Sequence, residues 1–333
     1  MVAECIRGRS YTGITYPLSA CTLRPLCPVG GKVRPAPVAS PDVRSKVSSR
    51  VGFPKLVPEV DLTDERSWFW KYGAKFDAIF APLWQLLVNK DKSSKASRSG
   101  LHDYLGFNGR ILLSTVMPDE LIDKLDRDQY FRLIKDLGPD ATMVPDNYTY
   151  VDMPLYQSWS QTIRLVTLAN DFLDLDIPVI GLVKGAIAQQ YIWALRKQVR
   201  MGYVSFALPS RELFKQSLLD GAVMCARHVF ERSRPDAELL FYGLAYPVRR
   251  VEASYSNLSW FIEANRAHVF KGGKLRDIAD PEIGSEKCDC EACGGRAPTE
   301  LLDLQGNHDE YVRTLAHHNL LDLKKVLSGE RHG

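Results

Sequence analysis

The stretch RILLSTVMPDELIDKLDRDQYFRLIKDLGPDATMVP, residues 110–145, contains the pattern that decides the fold. A short apolar run, RILLSTV, is followed by a segment with amphipathic spacing that begins at Pro118 and stops at Gly138, and then by a second apolar run, ATMVP. Short continuous apolar runs are typical of strands that are buried on both faces, as in a parallel sheet. This stretch therefore predicts a strand–helix–strand unit.

The same pattern recurs on both sides of this unit. The other strand-like runs are FDAIFAPL (76–83), PVIGLVKG (178–185), YVSFALP (203–209) and ELLFYGLA (238–245). Amphipathic stretches separate them, and Ser210 is a predicted N-cap for the last of these. Six runs that alternate with helices predict an α/β fold with a parallel sheet. The length of 333 residues favours a (β/α)8 TIM-like barrel, with a doubly wound open sheet as the alternative.

The composition is typical of a soluble globular protein, with 45% hydrophobic and 25% charged residues. The sequence contains no apolar run of about 18 residues or more, so no membrane-spanning helix and no membrane partner are predicted. The N-terminus lacks the apolar stretch of a signal peptide, and we expect a cytoplasmic protein with reduced thiols. No GxGxxG and no P-loop follows a strand, which disfavours dinucleotide and nucleoside triphosphate binding.

Three regions are predicted along the chain. Residues 1–55 are rich in Pro, Arg and Ser without an apolar period, and they are interpreted as a basic N-terminal arm. Residues 56–285 form the predicted barrel, and residues 286–333 form a C-terminal zinc-binding subdomain with the final helix. A second basic segment, NKDKSSKASRSG (89–100), is interpreted as a surface loop. Both basic segments are compatible with phosphate binding and, equally, with an ordinary solvated surface.

The zinc prediction depends on three cysteines within six residues. Cys288, Cys290 and Cys293 form C-x-C-x2-C, and a pair of histidines follows at His317 and His318. Thiolates at this spacing can bind one Zn²⁺ from a tight loop, and a histidine on a helix can complete a tetrahedral set. Four protein ligands leave no position for a catalytic water, so the predicted site is structural. The helical pattern does not distinguish the two histidines.

The cysteine segment and the H-N-L that begins at His318 resemble the zinc subdomain of the tRNA-guanine transglycosylases, and this resemblance selects His318 as the fourth ligand. The stretch GLHDYLGFNGRILL (100–113) resembles the family segment G-L-H-x-F-L-G-F-x-G-P-I-L. MVPDNYTY (143–150) is similar to the strand that presents the family's base-recognising aspartate, and VIGLVKGA, MGYVSFALPS and LLFYGLAYP are similar to three later strands. The resemblance covers residues 75–325 and implies a (β/α)8 barrel with a zinc subdomain.

The resemblance also implies an activity. The family exchanges a guanine within a polynucleotide for a free 7-deazaguanine base, and its branches act on tRNA or on DNA. A carboxylate attacks C1′ and holds the sugar as a covalent intermediate, while a second carboxylate transfers protons. The implied partners are nucleic acid and the free base, with a homodimer, or a heterodimer with a paralogue, as the implied assembly. We favour DNA over tRNA, because the recognition motifs differ from the family while the scaffold and zinc motifs remain.

Carried over position by position, the family's base-recognising aspartate corresponds to Asp146. Ser114 stands where the family has its acid–base aspartate. Lys184 and Gly185 stand in place of the recognition Gln-Gly, and Ala207 stands in place of a glycine whose backbone donates to the base.

The predicted catalytic residues are Glu263 and Asp146. Spacing from Pro247 places the nucleophile at Glu263, whereas a local similarity places it at Ser256. Two aspartates that the family resemblance leads us to expect are absent from this sequence, and their absence predicts an alternative function. The chain would then be a non-catalytic partner subunit that binds nucleic acid or an active paralogue.

Overall fold

The computed structural model describes residues 48–65, 68–73, 75–210, 213, 216–243, 254–257, 268–271, 274–277, 290–296, 310, 314, 317–318 and 320–321. Its strands are β1 (Leu56–Pro58), β2 (Ala78–Pro82), β3 (Arg110–Ser114), β4 (Ala141–Met143), β5 (Val179–Leu182), β6 (Ser205–Pro209), β7 (Glu238–Tyr242), β8 (Ser254–Asn257), β9 (His268–Lys271) and β10 (Lys274–Asp277). Its α-helices are α1 (Leu83–Val88), α2 (Lys90–Leu105), α3 (Asp119–Ile122), α4 (Arg127–Leu137), α5 (Leu155–Phe172), α6 (Ala188–Arg200) and α7 (Gln216–Ser233), and a 3₁₀ turn covers Phe69–Tyr72.

The predicted α/β fold with a parallel sheet is confirmed. Six strands, β2 to β7, coincide with the six apolar runs and alternate with the helices in the described part of the chain. Each pairs in parallel with its sequence neighbour, and the short strands β8 and β1 continue the sheet beyond β7 in the order β1-β8-β7-β6-β5-β4-β3-β2. Strands β9 and β10 form a separate antiparallel pair.

The sheet is curled. Phe80 of β2 and Tyr242 of β7 are separated by four strands in the hydrogen-bonded order, yet their ring centroids lie 5.2 Å apart at an interplanar angle of 80°. The chain just after β1 also contacts β2, where the backbone N of Val60 donates to the Phe80 carbonyl at 3.0 Å. Both rings are buried, and rings from strands this far apart in the order can meet only inside the curve of the sheet.

Residues 48–53 cross the end of the sheet at which the strands begin. The Ser48 hydroxyl donates to the Val179 carbonyl at 3.0 Å and accepts from the Val179 backbone N at 3.1 Å, at the start of β5. Further along, the backbone N of Val51 donates to the hydroxyl of Ser205, at the start of β6, at 2.9 Å. The segment therefore follows the amino edge from one strand to the next.

The same segment reaches strands that lie far apart in the sheet order. The Glu238 carboxylate, at the start of β7, accepts from the backbone N of Gly52 at 2.8 Å and of Phe53 at 3.2 Å. The guanidinium of Arg110, at the start of β3, donates to the carbonyls of Val51 and Gly52. One short segment can bind β3 and β7 together only because the sheet curls.

The single helix predicted from Pro118 to Gly138 is two helices, α3 and α4. The break occurs because Asp126 caps α4: its Oδ1 accepts from the Gln129 backbone N at 2.8 Å, and the Gln129 side chain accepts from the Asp126 N at 2.8 Å. This capping box fixes a new N-terminus inside the amphipathic stretch. The predicted stop at Gly138 is confirmed, since Gly138 ends α4 with a left-handed φ of 57°.

Two other local predictions are wrong. The basic segment 89–100 is not a loop, because the Asn89 side chain caps α2 by accepting from the Lys92 backbone N at 3.1 Å, and its Lys, Arg and Ala residues favour a helix. Ser210 is not the N-cap of α7. Its hydroxyl donates to the Tyr242 carbonyl at 2.9 Å and joins the end of β6 to β7.

The G-L-H segment has a structural role at the amino edge. The two ring nitrogens of His102 lie 2.9 Å from the Phe107 carbonyl and 3.0 Å from Asp140 Oδ2. Asp140 also accepts from the backbone N of Ile111 at 2.6 Å. His102 thus ties the end of α2 to the starts of β3 and β4.

Among the helices that the structure describes, none has the length and apolar character needed to cross a membrane.

Replacement of Glu238 by Ala tests whether segment 48–53 contributes to folding. The change removes the acceptor for Gly52, Phe53 and the Ser205 hydroxyl, and we expect the free energy of unfolding to fall by about 2 kcal/mol. Urea denaturation followed by circular dichroism measures it. The matched control is Glu231→Ala, an exposed partner of Arg227 on α7, for which the expected change is below about 0.5 kcal/mol. Equal losses in the two variants would contradict the assigned role.

Candidate functional site

The carboxyl ends of β3, β4 and β5 bring three of the predicted site residues to one edge of the sheet. Ser114 is the last residue of β3, Asp146 lies just after β4 and Lys184 lies just after β5. Because neighbouring parallel strands end at the same edge, residues far apart in sequence become neighbours there. All three side chains are buried.

Asp146 and Lys184 form a buried ion pair. Lys184 Nζ lies 2.7 Å from Asp146 Oδ1, and only 6% and 2% of the respective side chains are exposed. The same ammonium donates to the carbonyl of Asn147 at 2.6 Å, and the Asn147 backbone N donates to Asp146 Oδ1 at 2.7 Å. Each charge offsets much of the desolvation cost of the other, so removal of one partner leaves a buried unpaired charge.

Acceptor atoms beside the pair have hydrogen-bonding capacity for a ligand. Both hydrogen bonds that the carboxylate of Asp146 accepts within the described residues go to Oδ1. In the same part of the chain, the side-chain oxygens of Asn147 and Thr149 are buried without a hydrogen-bond partner. Buried polar atoms are normally paired with protein, water or ligand. The loop after β4 therefore has unmet acceptors beside an ion pair.

Ser114 holds the strand end rather than carrying charge. It is fully buried, and its hydroxyl oxygen accepts from the backbone N of Val116 at 3.3 Å. The next residue, Thr115, donates its hydroxyl to the Val144 carbonyl at 2.7 Å and ties β3 to β4. The position at which the resemblance expects an acid–base aspartate thus contains a neutral hydroxyl.

Gly185 and Ala207 occupy tightly packed backbone positions. A Cβ on Gly185 would lie 2.8 Å from the backbone N of Tyr191 in α6, so only glycine allows this approach of the β5 end to the helix. Ala207 lies within β6, fully buried, and its carbonyl accepts from the Val183 N at 2.9 Å. Its backbone is therefore part of the ladder between β5 and β6.

Two tyrosines in the loop after Asp146 are anchored to acidic residues of the β3–α4 connection. Tyr148 donates to Asp123 Oδ2 at 2.8 Å, and Arg164 of α5 also donates to Asp123. The Arg164 and Tyr148 donors lower the pKa of Asp123, and the bond to Asp123 raises the pKa of Tyr148. Tyr150 donates to Asp119 at 2.8 Å. These bonds hold the loop that carries Asp146.

Sequence reasoning missed a further carboxylate at this edge. Glu59 directly follows β1 and accepts a hydrogen bond from the hydroxyl of Tyr242, the last residue of β7. β1 has only three residues and lies at the boundary with the Pro-rich arm, so its apolar run was too short to indicate a strand. The sequence signal for this strand was the group of apolar residues around Glu59, namely Leu56, Val57 and Val60.

The predicted metal ligands Cys290, Cys293 and His318 come together, with their ligand atoms within 4.8 Å of one another. His318 Nδ1 lies 3.4 Å from Cys290 Sγ and 3.2 Å from Cys293 Sγ. Zn–S bonds of 2.3 Å and Zn–N bonds of 2.0–2.1 Å in a tetrahedron place S and N about 3.5 Å apart, so this set fits a metal ion. Hydrogen bonding with Cys293, and next with His318, lowers the pKa of Cys290 and favours the thiolate that a metal needs.

The structure brings His318, rather than His317, to the thiols. His317 Nε2 instead lies 3.4 Å from Glu291 Oε1. Cys288 and Glu263 lie outside the described residues, so the fourth ligand and the nucleophile stay predictions. Ser256 lies in β8, and its backbone pairs with Val57 and Tyr242 on the two neighbouring strands.

Comparison with known proteins assigns no family to the chain. No protein-family model matches it, and no curated protein matches it. The resemblance to the transglycosylases stays a prediction from the sequence motifs.

Proposed function

We propose that this chain is a transglycosylase that exchanges guanine in nucleic acid, DNA in preference to tRNA, for a free 7-deazaguanine base. The observation that carries the proposal is the Asp146–Lys184 pair, in which a buried acceptor and a buried donor lie 2.7 Å apart at the carboxyl edge. A site of this kind selects a ligand edge on which donors and an acceptor are adjacent.

Guanine has such an edge. Its N1–H and N2–H groups are donors that suit the carboxylate of Asp146, and its neighbouring O6 is an acceptor that suits the ammonium of Lys184. A 7-deazaguanine has the same edge, because it differs from guanine at position 7. One pair of residues can therefore bind both the outgoing and the incoming base. Adenine has the opposite arrangement, with an acceptor at N1 and donors at N6, and it is disfavoured.

Lys184 also suits the step in which guanine leaves the sugar. When C1′–N9 cleaves, the bonding electrons move onto the leaving guanine and increase the negative charge on O6. A buried ammonium that is already in place stabilises this charge more strongly than water does. Lys184 would thus supply electrostatic stabilisation at a position where the family has a neutral glutamine.

We propose further that the curled sheet is a closed (β/α)8 barrel. Support comes from the parallel bridge between Glu59 and Phe80 and from the Val60–Phe80 hydrogen bond, which join the two ends of the strand order. In such barrels the active site lies at the carboxyl ends of the strands, where Asp146 and Lys184 lie here. Glu263 is the nucleophile in this proposal, on the basis of its spacing.

The metal in this proposal is a structural Zn²⁺ held by Cys288, Cys290, Cys293 and His318. Thiolate and imidazole ligands favour Zn²⁺ over hard cations, and a complete ligand set leaves the ion without a reactive position. Its contribution would be to fold the C-terminal segment.

A second candidate function is a non-catalytic partner subunit that binds nucleic acid or an active paralogue. It is favoured by Ser114, because the buried hydroxyl cannot replace the aspartate that the family uses for proton transfer.

Incorporation of a labelled base tests the proposal directly. The purified chain is incubated with duplex DNA or tRNA and a labelled 7-deazaguanine carrying a nitrile or an aminomethyl group at position 7, and label in the polymer is counted. We expect Asp146→Asn to reduce incorporation about 100-fold or more, because the amide presents a donor to a donor edge. Lys184→Gln keeps a neutral donor for O6, and we expect it to retain more activity than Lys184→Met.

The controls for these variants lie on α4. Lys135→Met and Asp136→Asn make the same chemical changes at exposed positions and should leave incorporation unchanged. Thermal melting identifies any variant that fails to fold. Absence of incorporation by the unmodified chain, with either polymer and either base, would refute the enzymatic proposal and favour the partner subunit.

Metal analysis tests the zinc site. We expect one zinc ion per chain by mass spectrometry of the native protein, and loss of that ion in Cys290→Ser and Cys293→Ser, since the serine hydroxyl is not deprotonated at neutral pH. Cys225→Ser changes a buried cysteine of α7 outside the cluster and should retain the metal. If Cys288→Ser still bound one zinc ion per chain, the assignment of Cys288 as the fourth ligand would be wrong.

A further inference from the structure

We propose that Glu59 is the general base of the exchange reaction and that Tyr242 is its positioning residue. This inference rests on the transglycosylase function proposed above. It supplies a proton acceptor for the incoming base, a role that Ser114 cannot perform.

The geometry places Glu59 at the functional edge. It directly follows β1, its side chain is half-buried, and Tyr242 at the end of β7 donates a hydrogen bond to its Oε2. The Tyr242 ring is 2% exposed and packs against Phe80 inside the curve of the sheet. A carboxylate that bonds this phenol must lie towards the enclosed side of the edge rather than on the outer surface.

The Tyr242 bond also favours the form of Glu59 that a base requires. A hydroxyl that donates to a carboxylate stabilises the ionised state relative to the protonated state. The bond fixes the orientation of the carboxyl group as well, because Tyr242 is itself held by packing on Phe80. Asp146 does not take this role, since in the proposed function its carboxylate accepts from N1–H and N2–H, on the side of the base remote from N9.

The proton balance assigns Glu59 to the second half of the reaction. In the first half, the nucleophilic carboxylate bonds to C1′ as C1′–N9 cleaves, and the departing guanine anion takes a proton from solvent water. In the second half, Glu59 removes the N9 proton of the incoming base, N9 bonds to C1′, and the enzyme carboxylate leaves. Glu59 then releases its proton to solvent, which neutralises the hydroxide formed earlier.

Separate measurement of the two halves tests the assignment. With Glu59→Gln, we expect release of guanine from DNA and formation of a covalent protein–DNA adduct, seen on a denaturing gel, at the rate of the unmodified chain. Transfer of that adduct to labelled 7-deazaguanine should be about 100-fold slower or more, so the adduct accumulates. Glu65→Gln, an exposed glutamate that pairs with Lys71, is the matched control and should behave like the unmodified chain in both halves.

Two further variants separate chemistry from folding. Glu59→Ala should regain part of its transfer rate when formate is added, because a small carboxylate can replace the missing base; a variant that lost its fold would not respond. Tyr242→Phe keeps the ring but removes the donor, and we expect a roughly tenfold fall in kcat for transfer with KM for the incoming base unchanged.

The outcomes distinguish this inference from the function on which it rests. Transfer by Glu59→Gln at the unmodified rate, alongside a loss in Asp146→Asn, would overturn the role of Glu59 and leave the transglycosylase intact. If folded Glu59→Gln formed no adduct, the role of Glu59 as general base for the incoming base would also be wrong, since that result assigns Glu59 to the first half of the reaction. If the unmodified chain forms no adduct and incorporates no base, both proposals fall together.

Discussion

The contact between Phe80 and Tyr242 depends on the curl of one parallel sheet, and the same curl allows segment 48–53 to bond to both β3 and β7. Parallel strands twist with a fixed hand, and a sheet that carries helices between consecutive strands curves as it grows. Here the curve returns β7 to the neighbourhood of β2, so two rings that are remote in the ladder pack at 5.2 Å. Segment 48–53 stabilises the opposite edge, because it bonds both to Arg110 at the start of β3 and to Glu238 at the start of β7. The edge that remains for function is the one where the strands end.

At that edge, the buried ion pair of Asp146 and Lys184 carries a desolvation cost. Replacement of such pairs by apolar residues of similar volume is often neutral or stabilising, so packing alone does not explain why Asp146 and Lys184 are both present. The pair has two consequences that an apolar contact would lack. It orders the loop through the Asn147 carbonyl, and it presents opposite hydrogen-bonding character at adjacent points. The second consequence is the one on which the proposed recognition of a guanine edge rests.

The sequence predicted most of the sheet and the cysteines of the metal cluster because both depend on local patterns, whereas the family resemblance selected His318. Apolar runs report strands that are buried on both faces, and clustered cysteines report a site whose ligands lie close in sequence. Two failures arose where a local cap, which the apolar pattern does not report, decides where a helix begins. Asp126 divided one amphipathic stretch into two helices, and α2 formed in a segment that composition indicated as a loop. Glu59 was missed because β1 is recognisable only through its neighbours β2 and β8.

The proposed general base draws on the same property of the sheet. Parallel strands deliver their following residues to a common edge, so chemistry there requires a group at a position in space and not at a position in a motif. Ser114 on β3 is neutral, whereas Glu59 on β1 is acidic and is held by Tyr242 from β7. The two strands are separated in the ladder by β2 alone, through the bridge between Glu59 and Phe80. The resemblance by motif therefore points to Ser114, while the folded chain presents the Glu59 carboxylate at the same edge.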